Sequence, residues 1–147
     1  MRIEQRIAEA IRQNNMSAYQ DTRYPEIQEG EAVVFIDENF EEVDFSKFIL
    51  GFFKFRNCNL DKSRGLNSQP IIIENCSAKN LDLIGCYAVI EAFNSDFRDM
   101  KYDSVTTLGT LKKDGTCSSR FVDCKLDEKT IEHFSAQGVE FVSNKQK

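Results

Sequence analysis

A five-residue repeat between Glu38 and Lys62 constrains the fold of this chain more than any other feature of the sequence. Apolar residues recur at every fifth position and form one column. The residues two positions before them form a second column, in which only one residue is charged. The first column contains Phe40, Phe45, Leu50, Phe55 and Leu60, and the second contains Glu38, Val43, Phe48, Phe53 and Cys58. This period fits neither an α-helix, which has about 3.6 residues per turn, nor a strand, whose side chains alternate. It is typical of short units that stack into a solenoid.

The same period returns three times later in the chain, each time in a new phase. The later columns contain Ile73, Ala78, Leu83, Ala88 and Phe93, preceded by Ile71, Cys76, Leu81, Cys86 and Glu91, then Phe97 and Tyr102, and finally Phe121, Leu126 and Ile131. Gly, Asn, Ser and Pro in 63–70 and an Asp-Gly turn signal at Asp114 interrupt the repeats. We therefore expect a repeat region over residues 31–131 with interruptions near 63–70 and 105–118, the second projecting as a hairpin or loop.

An amphipathic helix is predicted ahead of the repeats. Ile3, Ile7 and Ile11 recur at helical spacing, which predicts a helix over residues 2–14. Such a short helix is marginal alone in water, so it must dock on something. We expect residues 1–30 to cap the open end of the solenoid, and the alternative is a helix that binds a partner.

The C-terminal region is predicted to end the solenoid. A short helix can form over Asp127–Phe134, with Asp127 as its N-cap. We expect residues 132–147 to form a C-terminal cap and tail. β-Branched and aromatic runs predict a first strand over Ala32–Ile36 and a last one over Val139–Val142.

Several pentads resemble the repeat of the pentapeptide-repeat family, in which a small residue precedes Asn or Asp, then Leu or Phe, then two polar residues. The closest matches are Val43-Asp44-Phe45-Ser46-Lys47, Cys58-Asn59-Leu60-Asp61-Lys62, Ser95-Asp96-Phe97-Arg98-Asp99 and Cys124-Lys125-Leu126-Asp127-Glu128. The resemblance spans roughly residues 36–131. It implies a right-handed parallel quadrilateral β-helix, to which the flanking segments add an N-terminal capping helix and a short C-terminal helix. The Leu or Phe and the small residue would point inward.

Two features depart from the pattern of the family. Phe48 and Phe53 stand where a small side chain is expected, so either the coil bulges there, or one ring faces outward or under the N-terminal segment. Ala78 and Ala88 stand where Leu or Phe is expected, which suggests that large and small residues exchange roles in that block.

Composition and charge favour a cytoplasmic protein that does not bind nucleic acid directly. Hydrophobic residues make up 41% and charged residues 29% of the chain, no apolar run is long enough for a membrane span, and no secretory signal is evident. The five cysteines are scattered without a CxxC pair, which favours a reducing compartment. The net charge of −5 comes from residues 31–104, whereas nucleic-acid binding requires a basic face.

No arrangement of residues in the sequence predicts catalysis. His133 is the only histidine and has no Cys or carboxylate at metal-ligand spacing. The inward cysteines are interpreted as core filling rather than as metal ligands, and no phosphate-binding loop or nucleophile motif is evident. We expect neither enzymatic activity nor a metal or other cofactor, and only a pocket between the N-terminal segment and the coil would favour an enzyme or a small-molecule binder.

The sequence leaves two functional hypotheses open. The first is a non-catalytic protein–protein interaction module, since outward side chains of stacked coils make flat surfaces. Homodimers are also expected if coil ends stay exposed. The residues proposed for partner binding are Glu41, Glu42, Asp44, Asp96, Asp99, Asp103, Lys112, Lys113 and Asp114. The alternative for the carboxylates is an ordinary solvated surface.

The second hypothesis comes from the resemblance, because some pentapeptide-repeat proteins mimic duplex DNA and act on type II topoisomerases. About four coils would form a rod of roughly 19 Å. Duplex DNA of that length carries about 11 charges, which is well above the net −5 of the chain. The charge density therefore favours the interaction module.

Overall fold

Short runs of β-branched and aromatic residues form the strands of a parallel β-solenoid of about five turns in this computed structural model. The structure describes residues 2–19, 32–48, 52–67, 70–109 and 119–143, and the backbone of 145–146. Its strands are β1 (Ala32–Ile36), β2 (Phe52–Arg56), β3 (Ile71–Glu74), β4 (Tyr87–Ala88), β5 (Ile90–Phe93), β6 (Thr107–Leu108), β7 (Arg120–Val122), β8 (Lys125–Leu126), β9 (Glu140–Val142) and β10 (Lys145–Gln146). Its helices are α1 (Ile3–Arg12) and α2 (Glu128–Ser135), and residues 16–19 are also helical.

Six parallel strands form the main sheet, in the order β1-β2-β3-β5-β7-β9. Residues aligned in neighbouring strands lie 20, 18, 19, 29 and 20 positions apart along the chain. Three further parallel ladders accompany this sheet. The first ladder joins β4 to β6. The second joins Asn39, Asn59, Ser77 and Asp96 in turn and continues through β8 to β10. The third joins Asp44, Arg64, Asp82 and Lys101. Each turn of the chain therefore bonds to the next at several separate places.

Phenylalanine rings fill the N-terminal half of the interior. The ring of Phe55 lies 5.4 to 6.0 Å from those of Phe35, Phe40, Phe45 and Phe53, all of them fully buried. The predicted inward column is thus confirmed at Phe40, Phe45, Phe55 and Leu60, and Leu50 lies outside the described residues. Burying one such ring contributes on the order of 1.5–3 kcal/mol.

Both unexpected rings of the first block are buried. Phe53 joins the central cluster, whereas Phe48 packs edge-on against Tyr19 with 4.9 Å between ring centroids. Phe48 therefore lies against the N-terminal segment, which was one of the alternatives for these two rings. Within the same column, Val43 and Glu38 are only half-buried.

The second block is buried as predicted except at its end. Its members Ile73, Ala78, Leu83 and Ala88 are fully buried, but Phe93 is half-buried and lies on the outer side of β5. The prediction that Phe93 points inward is wrong, because β5 buries Ile90 and Ala92 and the phase slips by one residue after Ala88. The fourth column likewise ends at Leu126, since α2 begins at Glu128.

The amphipathic N-terminal helix is confirmed as α1. Its buried residues Ile7, Ala8, Ala10 and Ile11 belong to the same core as the sheet, and Asn14 ends it with a φ of 55°. Arg12 Nη1 lies 2.8 Å from Glu38 Oε1, and its guanidinium lies 5.6 Å from the ring centre of Phe40. None of the helices in the described part of the chain has the length and apolarity that a membrane crossing requires.

The C-terminal helix α2 also agrees with the sequence prediction. Asp127 is its N-cap residue and has an extended backbone conformation. Its side chain makes no capping bond to α2, because Asp127 Oδ2 instead accepts a hydrogen bond from the Asp99 backbone N–H at 2.7 Å. Phe134 on this helix is fully buried, so α2 packs against the coil through an apolar contact.

Candidate interaction surface

The outer side of the main sheet, hereafter the sheet face, carries three rows of side chains that run across the strands. The first row contains Ala32 and Phe52, and the same register continues it to Pro70 and Val89, the residues just before β3 and β5. The middle row contains Val34, Lys54, Ile72, Glu91, Arg120 and Glu140, and the third contains Ile36, Arg56, Glu74, Phe93, Val122 and Val142. All except Glu140 are half-buried. Most of the sheet face is therefore apolar, which sequence analysis did not anticipate.

The charged residues of the sheet face balance one another. Glu74 Oε1 lies 3.3 Å from Lys54 Nζ and 3.4 Å from Arg56 Nη2. The guanidinium of Arg120 lies 6.0 Å from the ring centre of Phe93, and Arg120 is aligned between Glu91 and Glu140. Three basic and three acidic side chains thus lie within an otherwise apolar surface. Aromatic and Arg side chains set among apolar neighbours are typical of protein–protein interfaces.

The acidic residues proposed for partner binding do not form one acidic surface. Glu41, Glu42 and Asp99 are exposed, whereas Asp44, Asp96 and Asp103 are half-buried and accept hydrogen bonds from backbone N–H groups two residues ahead. Lys112, Lys113 and Asp114, with the loop or hairpin predicted there, lie outside the described residues. The three half-buried carboxylates, those of Asp44, Asp96 and Asp103, therefore have a structural role in turns.

Basic partners accompany the turn carboxylates. Asp96 Oδ2 lies 2.7 Å from Arg98 Nη2, and Asp44 Oδ2 lies 3.5 Å from Arg64 Nε. The bond from the Ser46 backbone N–H lowers the pKa of Asp44, with a further contribution from Arg64. Burial raises the pKa of Asp96, but the bonds from Arg98 outweigh this effect and the net pKa is lowered.

A ladder of residues with left-handed backbone conformation was missed by the sequence analysis. Residues at the ends of the main-sheet strands have φ between 50° and 58°, and they are Asp37, Asn57, Asn75, Asn94, Asp123 and Ser143. Asn and Asp tolerate this conformation better than other residues with a side chain. The recurrence of Asn or Asp directly after five of the six strands was the signal that could have revealed the ladder.

Four buried residues immediately follow this ladder and form a column, hereafter the thiol column: Cys58, Cys76, Ser95 and Cys124. Each donates a hydrogen bond to the carbonyl two residues earlier, at 3.3 Å for Cys58 Sγ, 3.2 Å for Cys76 Sγ and 2.9 Å for Ser95 Oγ. Burial raises the pKa of Cys124 to about 11. The interpretation of these cysteines as buried core residues is confirmed, and Cys117 lies outside the described residues.

A polar cleft of ≈ 420 Å³ lies between α1 and the coil. Its lining residues are Gln5, Glu9, Arg12 and Glu38, of which Arg12 and Glu38 already form an ion pair. The single histidine lies elsewhere, on α2, where the ring centroid of His133 lies 4.6 Å from that of Tyr102, with the rings tilted, and 4.8 Å from that of Phe134, with the rings edge-on. Among the described residues, no group of three or more His, Cys, Asp and Glu side chains is arranged to hold a metal ion.

Comparison with known proteins gives no match to a family model, to a curated protein or to a solved structure. The functional conclusion therefore depends on the chemistry of the surfaces described above.

Proposed function

We propose that this chain is a non-enzymatic protein–protein interaction module and that the sheet face is its contact surface. The scaffold proposed is a right-handed, quadrilateral pentapeptide-repeat β-helix capped by α1. Inward side chains five residues apart, such as Phe40 and Phe45, and the separate parallel ladders support this part of the proposal.

The single observation that carries the proposal is the apolar character of the sheet face. Parallel sheets in globular proteins are usually covered on both sides, and their strands are then apolar on both sides. Here the residues Ile72, Phe93 and Val122 lie on the outer side, in line with the apolar outer residues of β1. A flat surface of this composition fits a folded protein partner better than it fits a small molecule.

The dimensions of the sheet face predict a transient complex. Six strands about 4.8 Å apart and roughly 16 Å long cover on the order of 400 Å² per partner. The total buried area would then be about 800 Å², which is below the roughly 1,200 Å² of stable specific interfaces. We therefore infer a weak, reversible interaction unless the partner also contacts the flanking turns.

A second copy of this chain fits the sheet face poorly. Two copies could pack their sheet faces together around a two-fold axis that runs across the strands, from β1 toward β9. Each middle-row residue would then face the same residue of the other copy, so that Lys54 faces Lys54 and Glu91 faces Glu91. In the other arrangement, the two-fold axis runs parallel to the strands and lies between β3 and β5, and Ile72 of one copy then faces Glu91 of the other. Like charges, or a charge against an apolar group, disfavour both arrangements. The proposed occupant is therefore a different protein, whose contact surface is mainly apolar like the sheet face itself.

A pair of matched variants tests the proposal. Ile72→Glu adds a charge to the centre of the sheet face, whereas Ile84→Glu adds the same charge to an exposed residue away from it, whose relative exposure is 53%. Each variant and the wild type are used to capture proteins from extracts of the source cells, and the captured proteins are quantified by mass spectrometry. We expect proteins that bind wild type and Ile84→Glu equally but are lost with Ile72→Glu; equal capture by all three would contradict the proposal.

The charge pattern favours this function over DNA mimicry. Asp44, Arg64, Asp82 and Lys101 alternate in sign along one ladder, whereas a DNA mimic requires rows of uncompensated negative charge. A supercoiling assay with a type II topoisomerase should therefore be unchanged by an excess of this protein, and inhibition would favour the mimic instead.

A further inference from the structure

Cys58 and Cys76 occupy equivalent positions in adjacent turns of the solenoid. The residues that follow them, Asn59 and Ser77, pair in a parallel bridge. In-register neighbours in a sheet lie about 4.8 Å apart, which is within the Cα–Cα range of about 4.4–6.8 Å that disulfides require. The Cys58 backbone N–H donates a hydrogen bond to Cys76 Sγ at 3.4 Å, so the sulfur of Cys76 is directed toward Cys58.

We propose that Cys58 and Cys76 form an oxidisable dithiol, which a small peroxide converts into a disulfide that links two adjacent turns. This site is independent of the sheet face and of the proposed function.

The reaction balances with hydrogen peroxide as the two-electron oxidant. The Cys58 thiolate attacks one peroxide oxygen, the O–O bond breaks, and Cys58 becomes a sulfenic acid while hydroxide leaves. The Cys76 sulfur then attacks the Cys58 sulfur, the S–O bond breaks, and the S–S bond forms. The thiol proton of Cys76 joins the departing oxygen as water. Two thiols are oxidised, and one peroxide is reduced to two molecules of water once the hydroxide is protonated.

The different electrostatic surroundings of the two thiols support these roles. The neighbouring Cys76 side chain, together with backbone hydrogen bonds, lowers the pKa of Cys58 below its usual value of 9.0 and favours the reactive thiolate. The neighbouring Cys58 side chain, together with burial, raises the pKa of Cys76. Cys76 therefore keeps its proton and serves as the second, resolving thiol.

Limited access selects a small oxidant. Only 3% of Cys58 and 5% of Cys76 is exposed, and of the two thiols it is Cys76 that lines an open cleft of ≈ 360 Å³, together with Asn75, Ser77 and Asn94. The pair is therefore open on the Cys76 side, and an oxidant reaches the Cys58 sulfur past the Cys76 side chain. Hydrogen peroxide is little larger than water and can reach thiols of such small exposed fraction, whereas a bulky disulfide such as oxidised glutathione needs a more exposed sulfur.

The thiol column supplies its own controls. Ser95 follows Cys76 in the column and makes the same bond to the carbonyl two residues earlier. Serine is thus already accommodated at this position of a turn, and Cys58→Ser and Cys76→Ser should fold. Cys124→Ser is the matched control, because Ser95 separates Cys124 from the dithiol in the column.

The experiment treats the full chain with hydrogen peroxide and measures the intact mass and the linked peptides. Wild type and Cys124→Ser should lose two hydrogen atoms, yield a peptide joining Cys58 to Cys76, and recover with dithiothreitol. Cys58→Ser and Cys76→Ser should instead gain oxygen at the remaining thiol, and circular dichroism checks that both are folded.

Two outcomes would overturn the inference. One is a wild type that only gains oxygen atoms or stays unmodified, and the other is a link that joins different cysteines, including Cys117. Because the wild-type peptide map decides between these outcomes by itself, the test remains valid if a serine variant fails to fold.

Discussion

At the residue scale, the ends of the strands depend on a backbone conformation that few amino acids adopt. Six residues at equivalent positions have positive φ, and none of them is glycine. The N–H of Asn57 still bonds to the Glu74 carbonyl of the next turn at 3.0 Å. At five of these positions, Asn or Asp lets the chain leave the strand without losing the hydrogen bond between turns.

Substitution of Asn57 tests this conformational requirement. Asn57→Ala should lower the free energy of unfolding by about 1 kcal/mol, because alanine is disfavoured in the left-handed region. Asn57→Gly should be nearly neutral, since glycine adopts this conformation readily. Urea denaturation of both variants measures the difference, and equal stabilities would contradict the proposed requirement.

The carboxylates of Asp44 and Asp96 predict a specific acid sensitivity. Their pKa values are lowered in the folded chain, so their contribution to stability is present above the unfolded value of about 3.9 and is lost as the pH falls through the folded values. We expect the double variant D44N/D96N to lose less stability than wild type when the pH falls from about 5 to 3. Equal losses, measured by urea denaturation at each pH, would contradict this assignment.

Asparagine is a suitable replacement because it already occupies equivalent turns of this chain. Asn39 and Asn59 accept backbone N–H bonds at 3.0 and 2.9 Å, as Asp44 and Asp96 do. The double variant therefore keeps the turns and removes only the two titrating groups.

At the element scale, the sequence predicts those elements whose side-chain period is clear. The spacing of Ile3, Ile7 and Ile11 indicated α1, and the apolar run Ala32–Ile36 coincides with β1. The five-residue period indicated a solenoid because no helix or simple strand repeats apolar residues at that interval. These signals depend on residues close together in the sequence, so they can be recognised without knowledge of tertiary contacts.

The residues of the sheet face could not be predicted in the same way. An apolar residue such as Ile72 or Phe93 gives the same signal whether it points into the core or away from it, and only the register of the strands separates the two cases. A slip of one residue after Ala88 reversed the direction of Phe93. The candidate contact surface therefore emerged only from the pairing of the strands.

The helix α1 should stabilise mainly the turn on which it packs. Replacing the buried Ile7 by alanine should lower the free energy of unfolding by about 2–5 kcal/mol, whereas Glu9→Ala on the exposed side should have little effect. Because neighbouring turns of a solenoid contact only each other, amide exchange should increase in β1 and β2 more than in β7. A uniform increase along the whole chain would contradict this local coupling.

At the scale of the whole molecule, the sheet face should bind another protein without causing self-association. We expect Ile72→Glu to leave the sedimentation coefficient of the isolated chain unchanged, because neither two-fold arrangement of two sheet faces pairs opposite charges. Sedimentation velocity over a range of concentrations measures this. A wild type that associates, and an Ile72→Glu variant that does not, would show instead that a second copy occupies the sheet face.

The pairing of β5 with β7 has a consequence for how such a molecule can change. Residues aligned in these two strands are 29 positions apart, against 18 to 20 elsewhere, yet both strands keep their places in one continuous sheet. The entropic cost of closing a longer connection rises only slowly with its length. The segment that connects β5 to β7 could therefore be lengthened or exchanged, in evolution or by design, to add a new surface loop. The stacked turns on either side would keep their pairing.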